Sequence, residues 1–127
     1  MNLDEVIELY AASTLGERRP IDDRSRMSAM LKNANLVVTA WDGQLLIGIS
    51  RALSDFSYAT YLSDLAVRVS YQRAGIGKEL IRQTQKAGGP RTRVILLSAP
   101  AATAYYPHIG FTQHSSAWML AGDAEIR

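Results

Sequence analysis

The order of elements in this chain follows from one short stretch, Gln72-Arg73-Ala74-Gly75-Ile76-Gly77, which joins an apolar, strand-like run ending at Val69 to an amphipathic helix pattern. Its two glycines lack a Cβ, so the backbone can turn sharply and approach a ligand closely. The first turn of a helix leaves N–H groups unpaired and carries positive potential, which together favour a bound anion. Basic residues at a helix start, here Arg73 and Lys78, oppose the helix dipole unless an anion is nearby. The stretch therefore predicts a phosphate or pyrophosphate site.

Two other glycine loops do not fit this stretch. A dinucleotide-binding loop needs a third glycine and an acidic residue about 20 positions on, where this chain has Leu80 and Leu97. A Walker loop needs a different glycine spacing and a hydroxyl residue after the lysine, where Lys78 is followed by Glu79. A tight strand-to-helix turn that binds no ligand is the remaining alternative.

The pattern that does fit is Gln/Arg-x-x-Gly-x-Gly/Ala after a strand, which resembles the acetyl-CoA pyrophosphate loop of the Gcn5-related N-acetyltransferases (GNAT). A second stretch, Ala104-Tyr105-Tyr106-Pro107-His108-Ile109-Gly110-Phe111, is similar to a later element of that family, in which Gly-Phe begins four residues after a tyrosine. Both occur in the family's order with an apolar strand run between them, so the resemblance covers nearly the whole chain. The family pattern opens with a strand before its first helix, whereas only Met1 precedes that helix here, so this strand is either absent or outside the sequence.

Length and composition indicate one soluble domain spanning residues 1–127. At 127 residues, the chain is long enough for one core and too short for two. Its 47% hydrophobic and 20% charged residues are ordinary for a globular protein. No apolar run reaches the roughly 20 residues of a membrane helix, and the acidic start Asn2-Leu3-Asp4-Glu5 is not a signal peptide. We therefore expect a cytoplasmic protein that does not bind membranes.

The composition also excludes several kinds of chemistry. With no cysteine, the chain has neither disulfides nor a covalent cysteine acyl-enzyme. Two histidines, His108 and His114, argue against a histidine-rich metal site, so we expect no metal. A net charge of +2 suits a protein that binds a polyanionic cofactor and is too weak to indicate nucleic acid.

The first half of the sequence predicts two helices followed by a hairpin. Apolar residues from Leu3 to Ala11 recur at helical spacing, with Asn2 as N-cap, and a second helix begins after Asp22 or Asp23. Runs 36–41 and 44–53 are rich in β-branched residues and are joined by Asp42-Gly43, a strong hairpin signal. These runs therefore predict an antiparallel pair of strands.

The second half predicts a strand, a helix and a parallel strand. A strand over 58–69 precedes the glycine loop, and a helix then places Ile76, Leu80, Ile81, Thr84 and Ala87 on one face before Gly88-Gly89-Pro90 ends it. The apolar run 94–97 predicts a strand buried on both faces, which makes a right-handed βαβ unit. A short helix over 101–108 and a bent strand or hairpin over 111–120 follow. The fold class expected is α/β, with a mixed, mostly antiparallel twisted sheet, a central parallel βαβ unit and helices on both faces.

The resemblance implies where acetyl-CoA binds. Its pyrophosphate would be held by the backbone of the loop, and its pantetheine arm would lie along the preceding strand like an added strand. An N–H of Ala66 or Val67 would then polarise the thioester carbonyl, and Ser98 at the end of the next strand would either contact pantetheine or only finish the strand. The cofactor-binding residues expected are Leu65, Ala66, Val67, Gln72, Arg73, Ala74, Gly75, Ile76, Gly77, Lys78, Ser98 and Tyr106.

Two residues are expected to carry the chemistry. Tyr106 matches the family tyrosine that protonates the coenzyme A thiolate, a step for which a phenol of ordinary pKa is competent. Asp64 stands near the position of a carboxylate that accepts the amine proton, although a structural hydrogen-bond acceptor or a solvated strand-end carboxylate fits it equally well. Asp55 is a weaker substitute for the base. Arg18 and Arg19 belong to a loop expected to overhang the acceptor, where they would meet an acidic substrate or the coenzyme phosphates, or remain solvated.

The resemblance implies an acetyl-CoA-dependent N-acetyltransferase that transfers acetyl to a primary amine by direct transfer in a ternary complex. The acceptor would be a small-molecule amine or a peptide, and the family's frequent dimers suggest a homodimer. The alternative is a coenzyme A-binding sensor or interaction module without catalysis. A weak nucleic-acid binder built on the arginines at 18–26 ranks last, because Asp22 and Asp23 interrupt that basic stripe.

Overall fold

The computed structural model describes residues 1–127, and its single sheet has the strand order β1-β2-β3-β4. The strands are β1 (Leu36–Asp42), β2 (Leu45–Ser54), β3 (Ala59–Val67) and β4 (Arg93–Ile95). The helices are α1 (Leu3–Ala11), α2 (Arg24–Asn33), α3 (Ile76–Gly88) and α4 (Tyr105–His108). Short 3-10 turns cover Thr14–Arg18, Val69–Tyr71 and Pro100–Ala102.

The first two helices begin at the caps that the sequence predicts. Asn2 accepts from the N–H of Glu5, whose side chain accepts in return from the N–H of Asn2, which makes a capping box. At α2 the cap is Asp23, whose side chain accepts from the N–H of Arg26. Met27 is the buried residue of α2.

The predicted hairpin is confirmed. β1 and β2 pair antiparallel across the turn at Gly43, whose φ of +59° is one that glycine adopts without strain. β2 and β3 are also antiparallel, and their register shifts between Arg51 and Ala52, which leaves Ser63 of β3 without a partner. Ser63 is therefore the extra residue of a β-bulge.

The predicted βαβ unit is also confirmed, because β3 and β4 pair in parallel with α3 between them. This parallel pair lies at one edge of the sheet rather than at its centre, since β4 is the last strand in the order. Leu80, Ile81 and Thr84 are buried on α3 as predicted, but the fourth buried position is Gly88, whereas Ala87 is exposed.

Helices cover both faces of the sheet, as the fold class requires. One face forms the main core, in which Tyr10 and Leu9 of α1, and Met27 of α2, pack against Ile49 and Ala66. The other face carries α3. A Cβ built on Gly48 of β2 would lie 2.9 Å from Leu80 Cδ1, so the helix packs directly against the strand backbone there. Ser50 and Thr84 join the same two elements through a 2.6 Å bond between their hydroxyls.

Two sequence expectations about the end of the chain are wrong. The run 94–97 was expected to be buried on both faces, yet β4 is three residues long and Ile95 and Leu97 are 46% and 44% exposed. The strand has one partner, and the sheet face around Ile95 is not covered. Residues 111–120 form no strand, and Trp118 and Met119 are exposed, because the segment pairs with no other strand.

The chain divides into two compact units. The first unit is Met1–Leu97 and contains the sheet and helices α1 to α3. The second unit is Ser98–Arg127 and contains α4. That residues 1–127 act as a single domain stays a prediction.

Candidate functional site

The glycine loop between β3 and α3 has an unusual backbone. Arg73 has φ = +65° and Gly75 has φ = +81°. The left-handed region costs a non-glycine residue roughly 1–2 kcal/mol, and such strain gathers at ligand-binding sites. Successive backbone N–H groups in turns of this kind form anion-binding nests. The loop therefore has the conformation expected of a phosphate cradle.

Helix α3 differs from α1 and α2 in having no side-chain cap. Its N-cap is Gly75, which has no side chain to accept a hydrogen bond. By contrast, Asn2 and Asp23 cap α1 and α2. The N–H groups of the first turn of α3 thus lack the side-chain acceptor that the other two long helices provide. No carboxylate of the chain pairs with Arg73 or Lys78, so the positive charge at this helix start is not neutralised by an ion pair.

The structure explains the presence of glycine differently at the two glycine positions of the loop. Gly75 is required by its positive φ, and the space around it is open. Gly77 has no positive φ, and a Cβ there would lie 3.7 Å from Val67 Cγ2, an ordinary contact. The structure thus explains why the second position of the motif accepts alanine. Gln72 has a local role as well, because its Nε2 donates to the carbonyl of Val67 over 3.1 Å.

One edge of strand β3 is only partly paired with a neighbouring strand. β2 pairs with β3 as far as Val67, but β4 pairs only with Ala59–Tyr61. The remaining residues of β3, including the predicted Leu65 and Ala66, have no strand partner on that edge. An extended ligand can add to such an edge through main-chain hydrogen bonds. The glycine loop follows this stretch directly, so the predicted residues 65–67 and 72–78 lie in one continuous part of the first unit.

Asp64 lies at the bulge of β3 and is fully buried. Its Oδ2 accepts from Tyr10 Oη at 2.7 Å and from Arg51 Nε at 2.6 Å. Its Oδ1 accepts from Arg19 Nε at 2.6 Å and from Ser63 Oγ at 3.2 Å. One carboxylate thus connects α1, β2 and the segment before α2 to β3.

The contacts of Asp64 determine its protonation. Burial alone would raise its pKa, but hydrogen bonds from Arg51, Tyr10 and Arg19 outweigh burial and hold the pKa below the usual range. Burial, followed by the charge of Asp64, raises the pKa of Tyr10, which therefore stays a neutral donor. The cluster is a buried, ionised carboxylate held by two guanidinium groups and a phenol.

Sequence reasoning named Asp64 and Arg19 but missed Arg51 and Tyr10. Arg51 Nη1 also donates to the carbonyl of Met30 at 3.0 Å, which attaches α2 to the cluster. The sequence does contain a sign of Arg51's role, which is its position inside the apolar run of β2. A charge buried in a strand needs a partner. Tyr10 gave no such signal, since a tyrosine in an apolar stripe fits any core.

The second unit contains Ser98 and Tyr106. Ser98 lies in irregular chain between β4 and the 3-10 turn that starts at Pro100. The Tyr106 ring packs edge to face on Tyr105 and Phe111, with centroids 5.5 and 5.3 Å apart. Gly110 has φ = +102°, and the N–H of Phe111 donates to the carbonyl of Tyr106 at 3.1 Å. The spacing of this motif thus lets Phe111 turn back onto Tyr106.

No three His, Cys, Asp or Glu side chains come together where they could bind a metal ion. None of the helices combines the length and the apolar character that crossing a bilayer requires.

Comparison with known proteins gives the family. Residues 16–122, which include both motifs, match the family model described as an acetyltransferase (GNAT) domain. This chain belongs to the GNAT family. The family predicted from the two motifs is therefore confirmed.

Relatives and solved structures agree with this assignment. Over 112 residues this GNAT chain is 31% identical to an uncharacterized ycf52-like N-acetyltransferase of Prochlorococcus marinus. The match covers 84% of this chain and 61% of that relative, so the chain spans less than two thirds of its length.

Two solved structures share the fold. A probable acetyltransferase of unknown function from meticillin-resistant Staphylococcus aureus superposes with a TM-score of 0.80 at 24% identity, covering 95% of this chain and 92% of that one. The aminoglycoside N-acetyltransferase AAC(6')-Iy, solved in complex with CoA, gives 0.72 at 20% identity, covering 98% and 92%. At these identities the likeness establishes the GNAT fold.

Proposed function

We propose that this GNAT protein is an acetyl-CoA-dependent N-acetyltransferase that passes the acetyl group directly to a primary amine in a ternary complex. The observation that carries the proposal is the start of α3. Its first turn has no side-chain cap, follows a loop with two left-handed residues, and lies beside two unpaired basic side chains. This combination favours a diphosphate.

The residues of the first unit suit the remaining parts of acetyl-CoA. Backbone N–H groups of 73–78 would hold the pyrophosphate. The unpaired edge of β3 at Leu65, Ala66 and Val67 would bind the pantetheine arm as an added strand. An N–H of Ala66 or Val67 would donate to the thioester oxygen, where negative charge develops during acyl transfer.

The reaction needs three changes at the acetyl carbon and its neighbours. The neutral amine nitrogen bonds to the carbonyl carbon, the carbon–sulfur bond breaks, and the nitrogen loses one proton. The departing thiolate takes a proton to become the thiol of coenzyme A, and Tyr106 is proposed as its donor. A phenol is a competent acid for this step, because its ordinary pKa near 10 is close to that of a thiol.

The contacts of Asp64 favour a structural role. Its general-base role stays a prediction, but both oxygens already accept hydrogen bonds, and its lowered pKa makes it a weak base. These facts favour the other interpretation of Asp64, that it is a structural hydrogen-bond acceptor. We propose that Asp64 holds Arg19 and the loop after α1 against β3.

Acetyl-CoA titration by calorimetry, followed by thiol release with a panel of primary amines, tests the proposal. We expect saturable binding and amine-dependent thiol release. If acetyl-CoA does not bind, the proposal is wrong. Binding without turnover of any amine would instead support the alternative, a coenzyme A sensor or interaction module. A homodimer and a cytoplasmic location stay predictions.

A further inference from the structure

Three large apolar side chains form an exposed row across the sheet. Leu53 of β2 pairs with Tyr61 of β3, and Tyr61 pairs with Ile95 of β4. Residues paired in this way project from the same face of a sheet. The three side chains are 42%, 39% and 46% exposed, respectively. A contiguous apolar row of this kind is a candidate binding surface.

The row belongs to the sheet face covered by α1 and α2. The next pair along β2 and β3 on that face is Arg51 and Asp64, beyond the bulge, and the pair after it is Ile49 and Ala66 in the main core. Tyr61 is also the last residue of β3 to pair with β4. The row therefore borders the start of the unpaired β3 edge that is proposed to bind pantetheine.

Arginines lie on both sides of the row. Arg93 stands two residues before Ile95, so it projects from the same face, and its guanidinium lies 4.8 Å from the centre of the Tyr58 ring. On the other side, Arg19 Nη2 donates to the carbonyl of Ser63 over 2.8 Å.

The charge around the row is positive. Arg19 and Arg51 share the single carboxylate of Asp64, which leaves one positive charge uncompensated. Asp55, in the turn between β2 and β3, accepts from backbone N–H groups at 57–59 but remains a carboxylate without an ion pair. Arg19, Arg51 and Arg93 still exceed Asp64 and Asp55 by one positive charge. Glu17 and Arg18 are exposed neighbours of opposite sign, so they cancel.

We propose that this row binds the acceptor, and that the acceptor is an apolar α-amino acid, a primary amine on an apolar body that also carries a carboxylate. The inference rests on the proposed function, because the row borders the β3 edge that is proposed to bind pantetheine. The apolar body would cover the row, and the carboxylate would face Arg93, which has no ion pair, rather than Arg19, which is bound to Asp64. The amine nitrogen would then replace sulfur on the acetyl carbon, losing one proton while the thiolate gains one.

The positive surroundings disfavour a polycationic acceptor. Guanidinium groups repel ammonium groups, and Asp55 is a single carboxylate against the several charges of a polycationic acceptor. The same field lowers the pKa of an acceptor ammonium and so favours the neutral amine that reacts. A single carboxylate on the acceptor compensates the positive charge of the cluster.

Four amines and three variants of the full chain test the inference. The amines are L-phenylalanine, phenethylamine (the same body without the carboxylate), L-alanine (the carboxylate without the body) and spermidine. The variants are Leu53→Ser, Arg93→Gln and the control Leu45→Ser. Leu45 is on the same strand and is 41% exposed, but it lies at the hairpin end. Steady-state thiol release gives kcat and KM, and calorimetry gives the affinity for acetyl-CoA.

We expect the lowest KM for L-phenylalanine. Leu53→Ser should raise that KM about tenfold without changing kcat or acetyl-CoA affinity, because it removes apolar contact with the acceptor alone. Arg93→Gln should raise the KM for L-phenylalanine and leave that for phenethylamine unchanged. Leu45→Ser should behave as the unsubstituted protein.

Several outcomes would overturn the inference. One is a preference for spermidine, and another is equal behaviour of Leu53→Ser and Leu45→Ser. A third is a dimer in sedimentation that Leu53→Ser dissociates with no change in KM, since the row would then be covered by a second copy. Acetyl-CoA binding with no turnover of the four amines overturns this inference and leaves the cofactor site intact, whereas loss of acetyl-CoA binding would remove the proposed function itself.

Discussion

Arg19 donates from Nε to Oδ1 of Asp64 over 2.6 Å, and this bond attaches the segment between α1 and α2 to the bulge of β3. The same carboxylate accepts from Arg51 and from Tyr10. A charge that is fully buried and hydrogen-bonded on both oxygens is costly to disturb, because its partners are left without a counter-charge. The first prediction follows from this relationship.

Replacing Asp64 with Asn should lower the free energy of unfolding by about 3–5 kcal/mol, the cost of leaving buried guanidinium groups without their carboxylate. Urea denaturation of the two proteins at neutral pH measures the difference. Asp123→Asn is the matched control, because Asp123 is exposed and has no ion pair, and it should stay within about 0.5 kcal/mol. A loss below 1 kcal/mol for Asp64→Asn would contradict the structural role.

The same residue predicts a pH dependence. Folding lowers the pKa of Asp64, so its contribution is complete above the unfolded-state pKa of about 3.9 and is lost as the pH falls through the folded-state pKa. The stability difference between the parent protein and Asp64→Asn should therefore be constant from neutral pH down to about pH 5. It should shrink in more acidic solution. A difference that grows on acidification would show that the carboxylate is not stabilised as an anion.

A second prediction separates backbone strain from ligand binding in the glycine loop. Gly75 and Gly43 both have positive φ, and a Cβ at either meets nothing within 4 Å. Alanine at either position should therefore cost about 1–2 kcal/mol of stability. Gly75→Ala should also weaken acetyl-CoA binding, because the loop would leave the conformation that aims its N–H groups. Gly43→Ala should not, since Gly43 lies in the β1–β2 hairpin.

Thermal unfolding and acetyl-CoA calorimetry on the two variants make this comparison. Equal losses of stability with unchanged affinity in both would argue against a diphosphate at the start of α3. Equal losses of affinity would indicate a general effect of reduced stability.

Local patterns in the sequence predicted most of the fold. The caps at Asn2 and Asp23, the turn at Gly43 and the end of α3 at Gly89 each depend on a few neighbouring residues. The errors concern partners that are distant in the chain. The apolar run 94–97 could not reveal that β4 pairs over only three residues, and run 111–120 could not reveal that it pairs with no strand.

The parts of the candidate site differ in how clearly the sequence indicates them. The glycine loop is a contiguous stretch whose backbone conformation requires glycine, so it can be recognised in the sequence. The cluster around Asp64 joins residues up to 54 positions apart, and the bulge that lets Ser63 and Asp64 both contact Arg51 leaves no mark in the sequence. Arg51 was the one sign of this cluster in the sequence, because it is a charged residue inside an apolar strand.

A third prediction concerns the close contact of Gly16 with α1. A Cβ on Gly16 would lie 2.6 Å from the carbonyl oxygen of Tyr10 and 3.1 Å from Ala11 Cα, both backbone atoms. Gly16→Ala should therefore displace the 3-10 turn and lower the free energy of unfolding by about 1–3 kcal/mol. Gly122→Ala is the control, since nothing lies within 4 Å and its φ is ordinary. Urea denaturation checks both, and a neutral Gly16→Ala would mean that this turn moves freely.

The last prediction tests Tyr106 as the proton donor. Tyr106→Phe keeps the ring that packs on Tyr105 and Phe111 and removes only the hydroxyl, so the unit around α4 should remain folded. We expect kcat to fall about 100-fold, the usual size of an acid–base contribution, with little change in acetyl-CoA affinity. Tyr105→Phe is the control, because Tyr105 is the neighbouring tyrosine of the same helix and has no proposed role in catalysis. Thiol release under saturating amine measures both. If the two variants were equally active, the thiolate would take its proton from another group, and the proposed role of Tyr106 would be wrong while the cofactor site at the start of α3 would stand.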